Sequence, residues 1–173
     1  PLFAAEKIPD IYAENQVFAL DSTTISLSIK LFTWAFGKYS RGAVKVHTIL
    51  NLRGSIPTFI HISHGKYHDS NVLDFMPIER DTIYVMDKAY VDFAALYEME
   101  LVGAFFVTRA KENMVFEVIE TNYNIDERTG LISDQTIVLT GVKSAKLYPI
   151  PLRMVVYRDI EKELSDFDYT VFN

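Results

Sequence analysis

Residues 82–93 read TIYVMDKAYVDF. β-Branched and aromatic residues dominate TIYVM, which predicts a strand, and the run stops on the carboxylate of Asp87. From residue 91 to 101 (VDFAALYEMEL) the spacing turns helical, with Phe93, Leu96, Tyr97 and Leu101 able to share one apolar stripe. Gly103 marks the end of that helix, and AFFVTR predicts the next strand. A buried strand that delivers a charge at its end needs a partner for it. VFALDSTTI, residues 17–25, raises the same question about Asp21, because Asp is depleted in strands and Phe18, Ala19 and Leu20 read as buried.

Working outward, residues 1–16 are mixed and polar, with Pro9 interrupting any helix, and read as a lead-in segment. Residues 17–25 form a predicted first strand. GAVKVHTILNL alternates as a second, and RGSIP turns into a third, TFIHIS, giving a meander that is most simply antiparallel. HGKYHDSN leads to a short helix near residues 72–75, which Pro77 ends. After Val115 the texture changes to β-like runs, FEVIE, TIVLT, LRMVVYRDI and DYTVF, separated by turn-rich stretches such as NIDERTG. The reading is an α/β mixed sheet in the order β-β-β-α-β-α-β over residues 17–110, followed by a mostly β segment over 111–173.

The chain has 173 residues, of which 49% are hydrophobic, enough for one sizeable core. No segment approaches the roughly 20 apolar residues of a membrane helix, and the first residues lack the basic-then-apolar arrangement of a signal peptide, so the expected location is cytoplasmic. The absence of cysteine excludes disulfides and thiolate metal sites. The first residue is Pro1 rather than Met, which fits a piece of something longer. The net charge of −6 conceals an asymmetry: between Asp21 and Asp69 there is no acid, while Lys30, Lys38, Arg41, Lys45, Arg53 and Lys66 are basic. Such a face can steer a polyanion, and a chance run on solvated strands explains it equally well.

In this order of elements the fourth strand returns most naturally beside the first, so Asp21 and Asp87 would face each other. Two carboxylates in one partly buried site repel unless a cation neutralises them, and Mg²⁺ or Mn²⁺ suits oxygen ligands. The plainer reading of an Asp at a strand-to-helix junction is a cap. Asp92 lies at the helix start and fits that role better than Asp87.

DSTTI, LFTWAF, GAVKVHTILNLRGSIPTFIHISHGKYHDSNVLD and YVMDKAY, in this order and spacing, resemble the catalytic domain of DDE-type bacterial transposases of the group named after insertion sequence four. The resemblance runs from about residue 17 to 109 and more loosely beyond. It implies a ribonuclease-H-like fold with a β-rich insertion between the second and third acids, which residues 111–173 match. It implies that Asp21 and Asp87 are the first two acids of a triad holding Mg²⁺, with Mn²⁺ as a substitute, for cleavage and strand transfer on DNA. The implied partners are DNA, as transposon ends and target, with a homodimer open for the full-length protein and nucleoid association when DNA is bound. The sequence departs from the family at the third acid: Tyr157 has Ile160 where the signature needs Arg, and Glu161 and Glu163 are poor substitutes. A two-acid piece is expected to have little activity alone.

HISHGKYHD carries His61, His64, His68 and Asp69, but on a continuous strand His61 and His64 point to opposite faces, which disfavours a zinc site. The resemblance assigns His68 and Asp69 a supporting role behind the metal ligands. Lys88 and Tyr90 follow Asp87 and could touch a phosphate or merely cover the helix start. KLFTWAFGKYSRG interleaves Lys38 and Arg41 with Trp34, Phe36 and Tyr39, a pattern suited to DNA and equally to a core strand; Lys45 follows it. The rival to a catalytic core is a non-catalytic nucleic-acid or protein interaction domain derived from one.

Overall fold

The computed structural model describes residues 15–28, 42–158 and 167–173. The chain divides into two compact units, Pro1–Val85 and Met86–Asn173.

In the first unit β1 (Gln16–Leu27), β2 (Gly42–Asn51) and β3 (Ile56–His64) form the expected antiparallel meander. β4 (Thr82–Met86) follows, and the strand order is β3-β2-β1-β4, so the fourth strand does return beside the first. Val17, Phe18 and Leu20 of β1, Ile49 of β2 and Tyr84 of β4 fill the core. Phe18 stacks on Tyr84 with ring centroids 5.7 Å apart. The Tyr84 hydroxyl donates to the Pro77 carbonyl at 3.2 Å and accepts the Glu79 N–H at 2.9 Å, which satisfies a deeply buried polar atom. The short helix expected near residues 72–75 is a 3-10 helix, Asp69–Asp74, that buries Ser70, Val72 and Leu73. Its N-cap His68 makes no side-chain cap hydrogen bond.

In the second unit a 3-10 turn, Lys88–Tyr90, precedes α1 (Phe93–Val102). Asp92 caps α1 by accepting the N–H groups of Ala94 at 3.0 Å and Ala95 at 3.3 Å. Gly103 ends it in the left-handed region (φ 82°), where a side chain would be strained. The expected stripe is corrected in one respect: Leu101 faces solvent, and Met99 is buried with Leu96. Flanking by Glu98 and Glu100 disguises Met99 in the sequence.

β5 (Phe105–Arg109), β6 (Phe116–Thr121), β7 (Leu131–Leu139), a single turn α2 (Ser144–Leu147), β8 (Leu152–Arg158) and β9 (Phe167–Phe172) complete the unit. Their order is β5-β9-β8-β7-β6, and the pairs β5–β9, β9–β8, β8–β7 and β7–β6 are all antiparallel. Leu152, Met154 and Val156 alternate into the core, as a half-buried strand requires. Tyr148 is held between α1 and β5 by edge contacts with Tyr97 at 5.7 Å and Phe106 at 6.1 Å. The result is a mixed α/β protein in which strands predominate, in the expected order β-β-β-α-β-α-β followed by β-rich sequence, apart from the 3-10 geometry of its first helix.

Candidate active site

Alternation along β1 places Leu20 in the core and turns Asp21 outward. Asp21 is exposed, not partly buried as expected, and its Oδ1 accepts the Ser22 N–H at 2.7 Å.

Asp87 follows the last residue of β4 and caps the 3-10 turn, with Oδ1 accepting the Ala89 N–H at 3.0 Å. Oδ2 accepts from the Arg109 guanidinium at the end of β5. That hydrogen bond, more than any other influence, holds the Asp87 carboxyl below its ordinary range; burial opposes it, and the Ala89 N–H assists. The plain reading of Asp87 as a cap is therefore correct, and it coexists with the ion pair.

Next to Asp21 in sequence, Ser22 turns the other way and its hydroxyl donates to Asp69 at 3.3 Å. Asp69 also receives the Lys45 ammonium on both oxygens, at 2.9 and 3.0 Å, and lies 3.8 Å from Nδ1 of His47. His47 sits opposite Ser22 in the β1–β2 register, is fully buried and meets the Ser63 hydroxyl at 3.2 Å. Burial lowers the His47 pKa, against the nearby Asp69 and with Lys45 and His61. Asp69 is thus tied to the strand that carries Asp21. His68 contacts Ser70 at 2.9 Å within its own turn.

The histidine cluster does not converge. His61 lies opposite His47 and His64 opposite Val44, which places the two on opposite faces as expected. His61 is stacked between Phe59, at 6.5 Å, and Phe75, at 5.4 Å. Among the described residues no three His, Cys, Asp or Glu side chains gather into a metal-binding group.

Of the candidate DNA contacts, Lys38 and Arg41 lie outside the described residues, as do Glu161 and Glu163. Lys45 is committed to Asp69 and to the Tyr67 carbonyl at 3.0 Å. Tyr90 is 1% exposed, so its ring belongs to the core and is removed from the residues able to meet a phosphate. Lys88 remains partly exposed and pairs with Glu112 at 3.0 Å. Sequence reasoning missed Arg109 and His47. The signal for Arg109 was a cation closing the AFFVTR strand, and for His47 a histidine in phase with the buried Ile49.

The fit of a divalent ion can be judged from the donors. Asp21 and Asp87 present hard carboxylate oxygens at partly or fully exposed positions. Mg²⁺ needs one or two such carboxylates and takes waters and substrate phosphates for the rest, so the lack of a gathered triad is compatible with it. Of the softer ligands, cysteine is absent from the chain and the histidines do not gather among the described residues.

Among the described residues no helix is long and apolar enough to cross a membrane. The family described as a transposase DDE domain matches residues 12–150. "Putative transposase y4zB" of Sinorhizobium fredii is 30% identical over 142 residues, covering 80% of this chain and 39% of that protein. "Putative transposase for insertion sequence element IS4SA" of Synechocystis is 28% identical over 133 residues, 73% of this chain and 38% of that protein. The chain thus spans about two fifths of the length of these curated relatives. A solved structure, the cryo-EM piggyBac transposase synaptic complex with hairpin DNA, overlaps 90% of this chain and 32% of its own at 9% identity and a TM-score of 0.48. With most of its length matched by that family, the chain belongs to the transposase DDE-domain family.

Proposed function

We propose that this chain is the catalytic core of a DNA transposase, with Asp21 and Asp87 as two of its metal ligands and residues 111–173 as a β-rich insertion before a third acid. The observation that carries the reading is the family match across residues 12–150, which takes in both aspartates. The return of β4 beside β1 supports it.

A bound Mg²⁺, or Mn²⁺ in its place, would supply activation of a water or 3′-hydroxyl and charge neutralisation at the leaving oxygen of a phosphodiester. The chain's own contribution is to hold the carboxylates. Asp21 is fixed by strand pairing of β1 and by the Ser22 N–H. Asp69 steadies the same strand through Ser22, a supporting role that His68 shares by shaping the turn. Lys88, with Lys38 and Arg41 of the basic stretch, would meet the DNA backbone, while Lys45 adds to the local field with its ammonium held by Asp69.

The test is plasmid cleavage by the longer parent protein on DNA bearing its transposon ends. Mg²⁺-dependent cleavage that disappears in Asp21→Asn and in Asp87→Asn, with melting temperatures kept, is the expected result. The 173-residue chain alone should cleave little. The Arg109 ion pair favours one rival, in which Asp87 is purely structural in a non-catalytic DNA-binding or protein-binding relative; full activity of Asp87→Asn would establish it.

A further inference from the structure

Asp87 and Asp21 differ in one respect that bears on metal loading. Among the described residues Asp21 has no cationic partner, its one bond being to the Ser22 N–H. Asp87 has both oxygens engaged, one by the Ala89 N–H and one by the Arg109 guanidinium. Arg109 is held from behind: it closes β5 and is registered against Thr170 of β9, so its backbone is fixed by the sheet. Its side chain is nevertheless 53% exposed, and that of Asp87 38%, so the pair lies at the surface where ions can reach it.

We propose that Arg109 is the resident counter-ion of Asp87, and that a divalent cation gains this carboxylate by displacing the guanidinium from Oδ2. The inference rests on the reading of Asp87 as a metal ligand. Two physical points carry it. A carboxylate oxygen that accepts a guanidinium N–H cannot point the same lone pairs at a metal. A monovalent cation fixed at hydrogen-bond distance also repels an incoming divalent one until it swings away. The Ala89 N–H competes less, because it occupies the other oxygen and carries no net charge.

Displacement is feasible because the pair is exposed, and exposed ion pairs are individually weak. The displaced guanidinium keeps its anchor on β5 and offers a planar fork of donors to a phosphate oxygen. Loading the metal would then free a cation for the DNA backbone. Before loading, the carboxylate is neutralised without a metal, so Asp87 does not stand as an unpaired charge. Arg109 on this reading is a positioning residue that acts through Asp87.

The test uses Mn²⁺ alone as probe, with the fraction of free ion followed by electron paramagnetic resonance, on the wild-type chain, Arg109→Gln, Asp87→Asn and the double variant. Arg109→Gln should bind Mn²⁺ about tenfold more tightly than wild type, through the loss of a competing cation. Asp87→Asn should abolish that gain in the double variant. Weaker binding in Asp87→Asn, together with unchanged or weaker binding in Arg109→Gln, would overturn the counter-ion role and leave the ligand reading standing. Mn²⁺ binding indifferent to Asp87→Asn overturns both. Because Arg109→Gln could disturb β5, Mg²⁺ titration of the wild-type chain followed by the Arg109 side-chain NMR signals provides a check free of substitution. Release appears as loss of the bonded Nη resonance as Mg²⁺ is added; a resonance that stays unchanged while Mg²⁺ binds refutes displacement.

Discussion

Lys45 and Asp69 form a two-pronged bond, the ammonium donating to both carboxylate oxygens at 2.9 and 3.0 Å, with each side chain about one-fifth exposed. Asp69 also takes the Ser22 hydroxyl, so one carboxylate links β1, β2 and the 3-10 helix that follows β3. Asp69→Ala leaves the Lys45 charge half-buried and should cost about 2 kcal/mol, between the values for exposed and buried pairs. Urea unfolding measures it. A loss below the error of the fit would mean that the link is ornamental to stability.

Burial holds the His47 imidazole below its ordinary value of 6.5. The unfolded chain takes up a proton on this ring as pH falls through that value, while the folded chain resists, so the unfolded state binds more protons there. The stability from a neutral His47 is therefore complete above about pH 6.5 and is lost progressively below it. The urea midpoint should fall on going from about pH 7 to pH 5.5, and His47→Gln should flatten that slope. Asp87 and Asp134, whose carboxyls are lowered chiefly by Arg109 and Arg153, act in a more acidic window and do not obscure the test.

Asp134 is nearly buried and is held by Arg153 at 2.7 and 2.8 Å and by the Asn122 amide at 3.0 Å. Removing the cation strands the charge, so Arg153→Met should destabilise the protein by roughly 2–3 kcal/mol. The change also removes the guanidinium that lies 5.0 Å over the Phe172 ring. Asp134→Asn in the Arg153→Met background should recover part of the loss, since the stranded group is then neutral. Failure to recover any would move the cause from charge to packing.

Asp21 contributes little to folding, because it is exposed and bonded only to its own neighbour's N–H. Asp21→Asn should leave the unfolding free energy within about 0.5 kcal/mol of wild type. In the parent protein the same substitution should abolish Mg²⁺-dependent DNA cleavage. That separation of stability from activity distinguishes a metal ligand from a structural acid.

The strands of this protein were legible from two patterns: GAVKVHTIL alternates apolar and polar residues, while TIYVM and LRMVVY are short runs rich in β-branched and aromatic residues. Helix α1 was legible at both ends through Asp92 and Gly103, whose cap geometries demand those residue types. The burial of Asp21 was misjudged, although Leu20 beside it already required the opposite face. Arg109 could not have been paired with Asp87 from sequence, since it lies 22 positions further on, with a whole helix between. His47 was hidden for a different reason: a buried histidine is recognised by what surrounds it, here Ser63 and Asp69, and those partners come from β3 and the turn after it.

β9 has a consequence for how the chain is made. In the second unit it lies between β5 and β8, pairing residues 107–109 with 170–172 on one side and 153–158 with 167–172 on the other. β5 therefore emerges from the ribosome some sixty residues before its neighbour on that side, and its free edge must wait. The β1–β2–β3 meander closes from adjacent strands and has no such delay. Synthesis thus yields a hairpin-built amino-terminal sheet first, while β5 and β8 stay open to chaperones, or to strand-pairing with other nascent chains, until β9 arrives to fill the gap.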